Sequence, residues 1–398
     1  MNTINSPLIP PKSLRRRTSQ FSWHLVLLFF LTTPVWAGVE TFYIGTYTDT
    51  AGSQGIYSGT LDSESGKLGP LKLAVAVKKD PTFLALSPDG RFLFAAMSDA
   101  VASFQVQPDG TLLAINRQPS GANTCHIGLD RTGRELFAAS YNDGSVGAYP
   151  VSADGWIGLR TALISLHGSG PNLERQEGPH AHSVYVDPEN HFLYACDLGS
   201  DRIWIFRLGD QGQLLPADPP SVTVSAGSGP RHLAFGAGGL VYVANELGVS
   251  TSVFTRDAST GALSWIDTQD NIDPGWPKGT GSAEIVVHPS GKWLYVSTRL
   301  KDKVTVYNIN NGFASGNNGS VQTPPGGQVQ KPLQRKEIVP SPVTFPRSFA
   351  IDPSGRWLFV AGQTGNGISV LKIDPVSGHL TPTLEHASVG SPVCVLFD

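Results

Sequence analysis

Apolar residues along this chain come in paired bursts, each pair divided at nearly the same place by a short polar turn. The bursts read TFLALSPDGRFLFAAM from Thr82, CHIGLDRTGRELFAAS from Cys125, HSVYVDPENHFLYACD from His182, RHLAFGAGGLVYVAN from Arg231, AEIVVHPSGKWLYVST from Ala283 and RSFAIDPSGRWLFVAG from Arg347. Runs this short, dense in β-branched and aromatic residues and joined by Pro-Asp-Gly or Pro-Ser-Gly turns, predict two antiparallel strands each. Further strand-like runs lie between the copies, such as RIWIFRL from Arg202 to Leu208 and KVTVYNI from Lys303 to Ile309, and supply outer strands. A four-stranded unit recurring every roughly 45 to 60 residues has the size of a propeller blade.

The chain ends complete the count. ETFYIGTYT from Glu40 matches only a second strand, and SPVCVLFD from Ser391 matches only a first. Joined, they make a seventh copy, and pairing the two termini removes the exposed sheet edges that an open stack would leave. The prediction is an all-β, seven-bladed β-propeller with one blade split between the chain ends. It occupies residues 38–398 as one domain, with the Gly- and Asn-rich stretch from Gly312 to Gln330 as a surface loop.

Composition agrees with many short strands and tight turns, at 44 Gly and 30 Pro in 398 residues. Residues 1–37 differ from the rest: Lys12, Arg15, Arg16 and Arg17 precede an apolar run from Leu25 to Leu31, then Val35-Trp36-Ala37. That is the layout of a cleaved signal peptide, which predicts a periplasmic or secreted protein with no membrane attachment after cleavage. Removing four cations and no acids moves the formal net charge from −3 to −7, which argues against a nucleic-acid partner. The three cysteines, Cys125, Cys196 and Cys394, all fall in strand-like runs and are expected to be buried, inert thiols.

In a propeller, the start of each inner strand and the end of the strand beside it face one channel mouth. Aligned on the repeat, the first position holds Thr82, Cys125, His182, Arg231, Ala283, Arg347 and Pro392; the second holds Ser98, Tyr141, Leu198, Glu246, Arg299, Gln363 and Tyr47. Adjacent positions add His126, His232, Asn245, Asp197 and Glu284. Three arginines on one opening repel one another unless an anion offsets them, and Glu246 offsets only part. Guanidinium forks suit carboxylate or phosphate, so an anion site is expected there. His182 is the residue able to exchange a proton near neutral pH. His180 and His182, two apart on one strand, share a face as metal ligands would, but no third partner falls in these columns, and no metal or other cofactor is expected.

At these residues the chain resembles the propeller-type 6-phosphogluconolactonase family, itself similar to carboxymuconate-lactonising enzymes. The resemblance rests on His182-Ser183, Gly229-Pro230-Arg231-His232, Asn245-Glu246-Leu247, Arg299 after LYVST, and FPRSFAIDPSGRWLFVAGQ from Phe345 to Gln363. It implies catalytic roles for His182, Arg231, Glu246 and Arg299, which the column alignment also selects. The expectation is a monomeric, metal-independent hydrolase that opens a small anionic sugar lactone. Arg347, Gln363, Asn245 and His232 would bind substrate, either His182 or Glu246 would act as base, and a loop at Trp276 and Pro277 would cap the opening. A lactonising cycloisomerase, a non-catalytic exported binding propeller and a calcium-dependent lactonase stand as alternatives.

Overall fold

The computed structural model describes residues 1, 38–48, 52–276, 281–310 and 331–398. Contacts divide the chain into Met1–Ala37 and Gly38–Asp398, and the account below concerns the second unit. The expected signal peptide, the expected loop from Gly312 to Gln330, and Pro277 lie outside the described residues, apart from Met1.

Seven antiparallel sheets form the unit, each built outward from one inner strand. The inner strands are Phe83–Leu86, Thr124–Leu129, Ala181–Val186, Pro230–Phe235, Ser282–Val287, Pro346–Ile351 and Pro392–Phe397. Each neighbours the next, and Pro392–Phe397 neighbours both Pro346–Ile351 and Phe83–Leu86, which closes the ring. This last strand pairs with Val39–Thr46, so the split blade joins the chain ends as the repeat predicts. Its third strand, Gly55–Asp62, carries two short outer partners, Lys67–Leu68 and Lys72–Ala76.

Burial follows from stacking sheet on sheet. Second strands such as Phe92–Met97, Phe192–Asp197, Trp293–Thr298 and Trp357–Gly362 are buried at every position, because neighbouring blades cover both faces. That is why they read as continuous apolar runs and not as alternating ones. Phe42 of the split blade meets Phe359 of the preceding blade edge to face at 5.1 Å, which locks the closure with aromatic packing. The polar turns have their own logic. Asp352 Oδ1 accepts the backbone N–H groups of Arg356 and Trp357 at 2.8 and 2.7 Å, and Asp187 Oδ1 does the same for His191 and Phe192. The turn positions that need positive φ hold Gly355 (74°) and Asn190 (63°), residue types that tolerate it.

One sequence alignment is corrected by the register. In six blades the inner strand carries an irregularity where it reaches the mouth, and His182, Arg231 and Arg347 are among the residues skipped in the pairing. In the split blade the pairing passes from Gly45–Cys394 to Thr46–Pro392, which skips Val393. Val393, not Pro392, therefore holds the first mouth position. The one-residue error arose because the short C-terminal match offered no turn to anchor it.

Candidate active site

In most blades a bulge and a left-handed residue two positions earlier together precede the first-position side chain. Gly229 (φ 61°) precedes Arg231 in this way, and Gly281, Phe345 and Ser391 do so in the next three blades. The carbonyl of that left-handed residue accepts the backbone N–H of the second-position residue: Glu246 to Gly229 at 2.7 Å, Arg299 to Gly281 at 3.0 Å, Gln363 to Phe345 at 3.1 Å and Tyr47 to Ser391 at 3.1 Å. Both mouth rings are thus fixed by the same backbone bond, repeated blade by blade. At Gly281 a Cβ would stand 2.6 Å from Arg299 Nη2, so only glycine leaves room for that guanidinium.

The side chains converge on Glu246. Its Oε2 lies 3.1 Å from Arg231 Nε, and its Oε1 lies 2.9 Å from Arg299 Nη2 and 2.7 Å from Arg175 Nη2. Arg231, which is 2% exposed, donates from Nη1 to the Ala283 carbonyl at 2.8 Å. Burial alone would raise the Glu246 carboxyl, but Arg299, Arg231 and Arg175 outweigh it and hold the group well below the usual carboxylate range. Burial, with Arg347 and Arg299 nearby, brings Arg231 down to about 10, still charged at neutral pH. Arg347 stands beside this group, its Nη1 donating to Gln363 Oε1 at 3.3 Å and its guanidinium 5.6 Å from the Tyr47 ring. Three guanidiniums therefore gather around one carboxylate, with that of Arg347 as their neighbour.

His182 is 5% exposed and packs edge-on to Tyr141 at 5.7 Å and to His232 at 5.2 Å. Its Nδ1 has no hydrogen-bond partner. Burial first, then the charge of Arg231, the neighbouring His232 and the charges of Arg347 and Arg299, push its pKa well below 6.5, so the imidazole is neutral across the working pH range. His180 does not pair with it as a metal ligand would. Its ring stacks on Tyr141 at 4.4 Å, Nδ1 meets the Tyr141 carbonyl and Nε2 lies 3.2 Å from Glu177. No cluster of three or more metal-ligating side chains occurs among the described residues.

The other two expected substrate contacts are buried. Asn245 is fully buried and donates from Nδ2 to Ser250 and Ser252 Oγ within its own blade, because it alternates with Glu246 and faces away from the mouth. His232 is also buried, with Nδ1 2.8 Å from Glu284 Oε1. The Glu284 carboxyl is pushed up to about 7 by burial, against the lowering influence of Arg231 and of the hydrogen bond that Ser348 Oγ donates to its Oε2 at 3.2 Å. With His126, whose ring is 5.2 Å from that of His232, they form a polar layer in the channel. Trp276 lies against Lys301, at 5.8 Å from its Nζ. Cys196 and Cys394 are buried, Cys125 is partly so, and burial pushes all three thiols up to about 12.

Arg175 is the residue the strand columns do not reveal. It comes from the connection 166–180, outside any repeat, and also donates to the Tyr141 hydroxyl at 3.2 Å. The charged run Glu174-Arg175-Gln176-Glu177, just before two histidines, was the available signal.

Comparison with known proteins places these features in a family. The family model described as "Lactonase, 7-bladed beta-propeller" matches residues 41–325 and 326–397. A 6-phosphogluconolactonase of Bacillus subtilis is 30% identical over 89% of this chain and 97% of its own length. A crystal structure from Bacteroides fragilis, 32% identical, superposes with a TM-score of 0.80 over 91% of this chain and 98% of that one. The periplasmic gluconolactonase of Pseudomonas aeruginosa, 28% identical, gives 0.80 over 90% and 99%.

Proposed function

Because the chain belongs to the seven-bladed β-propeller lactonase family, we propose that its channel mouth hydrolyses a small sugar lactone carrying an anionic group. One observation supports this above the others: a neutral, buried imidazole with a free ring nitrogen stands beside four guanidiniums, only three of which share the one carboxylate among them. The surplus positive charge requires an anion, and a lactone turning over at His182 supplies two, its own substituent and the oxyanion of the reaction.

The chemistry balances with these residues. His182 takes a proton from water as the water oxygen attacks the lactone carbonyl. Arg231 or Arg299 stabilises the tetrahedral oxyanion, and on collapse the ring oxygen leaves with the proton returned from His182. The product acid then ionises. Glu246 is too weak a base for this task, since three arginines hold it ionised, so its part is to position them. A depressed pKa makes His182 a weak base in the empty site, and substrate charge cancelling that of the arginines raises its basicity on binding.

The leader-like N-terminus and the likeness to a periplasmic gluconolactonase support export. We take the mature protein to be a monomer free of membrane and nucleic acid, in keeping with its acidic charge. The reading is tested by assaying purified protein and Arg299→Ala against a panel of phosphorylated and unphosphorylated lactones and a muconate-type acid, with and without a chelator. Ring opening unaffected by the chelator and lost in the variant is expected. Binding of anions with no turnover would instead make it a binding propeller, cyclisation of the muconate acid would make it an isomerase, and loss of activity to the chelator would implicate calcium.

A further inference from the structure

The four guanidiniums of the mouth are not equivalent. Arg231 has Nη1 on the Ala283 carbonyl and Nε against Glu246, and is buried. Arg299 has Nη2 on Glu246, Nε 3.4 Å from the Gly281 carbonyl, and only 10% of its side chain exposed. Both belong to the deep end, beside His182. Arg175 keeps 42% of its side chain exposed, and its contacts to Glu246 and Tyr141 both use the one nitrogen, Nη2.

Its backbone is nonetheless fixed. Arg175 N–H donates to the Asn172 carbonyl at 3.1 Å, and the next residue, Gln176, is fully buried. Gln176 Nε2 donates to the Leu198 carbonyl at 2.9 Å and to Asp201 Oδ1 at 2.8 Å. The same Asp201 oxygen accepts Gly229 N–H at 2.7 Å, in the turn that presents Arg231. One carboxylate thus ties the connection bearing Arg175 to the strand bearing Arg231. The outer guanidinium is held at a set distance from the inner one while its head remains open to solvent.

We propose that Arg175 is a specificity-determining residue, which grips the anionic substituent remote from the reacting carbonyl and so selects charged lactones over neutral ones. The inference rests on the lactonase reading for the placement of the carbonyl at His182. With the reacting end of the substrate deep in the mouth, the opposite end meets Arg175, which keeps 42% of its side chain exposed and commits only Nη2, whereas Arg347, also partly buried, is engaged with Gln363 and the Tyr47 ring. Glu246 then keeps Arg231 and Arg299, and the substrate anion replaces it as partner of Arg175.

The test compares 6-phosphoglucono-δ-lactone with glucono-δ-lactone on the wild-type protein, Arg175→Ala and Arg175→Lys. Removing a charge-assisted contact lowers the preference in kcat/KM for the phosphorylated lactone by about tenfold, mainly through KM, and lysine restores part of it. An equal loss for both lactones through kcat would reduce Arg175 to a prop for Glu246 and overturn the proposal, as would an unchanged preference. Calorimetric titration with 6-phosphogluconate and gluconate separates the two ideas. Should the wild-type protein open neither lactone, the lactonase reading fails, yet preferential binding of 6-phosphogluconate that disappears in Arg175→Ala still upholds the role of Arg175. Equal binding of the two acids by the wild type, or a preference that survives the substitution, overturns it.

Discussion

Arg231 Nε and Glu246 Oε2 stand 3.1 Å apart across neighbouring strands of one blade, each residue 2% exposed. Burying a guanidinium is tolerable only with such a partner. Glu246→Gln leaves Arg231 and Arg299 without compensation, and breaking a buried pair in this way costs about 3–5 kcal/mol. Urea denaturation at neutral pH should show a loss of that order, partly reversed by added phosphate, and a variant as stable as the wild type would mean that another anion already serves these arginines.

His182 must be unprotonated to accept a proton from water, and its pKa in the fold lies well below 6.5. The acid limb of kcat/KM is therefore expected well below pH 6.5, with full activity at pH 6.5 itself. Arg347→Ala removes one of the charges that depress it and should move that limb upward. His182→Ala should lower turnover by about 10² to 10⁴ with the fold intact. Steady-state assays from pH 4 to 8 give both results, and a limb at or above 6.5 in the wild type, or unaltered turnover in the alanine variant, would remove His182 from the mechanism.

The polar layer in the channel makes a prediction about stability. His126, His182 and His232 are held neutral by burial, so below pH 6.5 the unfolded chain binds three protons that the fold does not, and stability falls as the pH falls. Glu284 works in the opposite sense. Its pKa is raised to about 7 in the fold from 4.5, so between those values unfolding releases its proton and stability falls as the pH rises. Glu284→Gln deletes the second effect and, by removing a carboxylate that favours charge on His126, adds to the first. Denaturation at a series of pH values should show the variant gaining on the wild type as the pH rises from about 4.5 to 7, with a constant difference above that, and losing stability more steeply between pH 6.5 and 5; parallel curves would mean that Glu284 is ionised in the fold.

Ring closure depends on six residues. Pro392–Phe397 is the inner strand of the split blade, and Val393, Cys394 and Val395 are at most 6% exposed. Deleting residues 392–398 exposes the edge of Val39–Thr46 and the flanks of two blades. The truncated protein is expected to aggregate or to melt at much lower temperature, read by light scattering and thermal denaturation, and a soluble product with an unchanged midpoint would show that the ring does not need its clasp.

Much of this was legible in the chain. The repeat fixed the blade count because each copy carries its own turn, with Asp187 and Asp352 capping hairpins through bonds only a few residues long. The columns then located His182, Arg231, Glu246, Arg299, Arg347 and Gln363, since equivalent repeat positions reach equivalent places in a ring. The same logic failed where the period was interrupted. The repeat puts Pro392 where the fold has Val393, at a terminus with no turn to set the register, and it puts Asn245 near the mouth although strand alternation turns it inward.

What the sequence determined by itself is periodic: strands, turns, the number of blades and the ring of positions facing the channel, all set by contacts between residues near in the chain. Only the tertiary structure decided which side chains touch. Arg175 reaches Glu246 from 71 positions away, and His232 finds Glu284 across a blade boundary, so their charges and proton affinities are fixed by neighbours that no local pattern encodes. Electrostatic energy depends on distance and on exclusion of water, and both are set only when the ring closes.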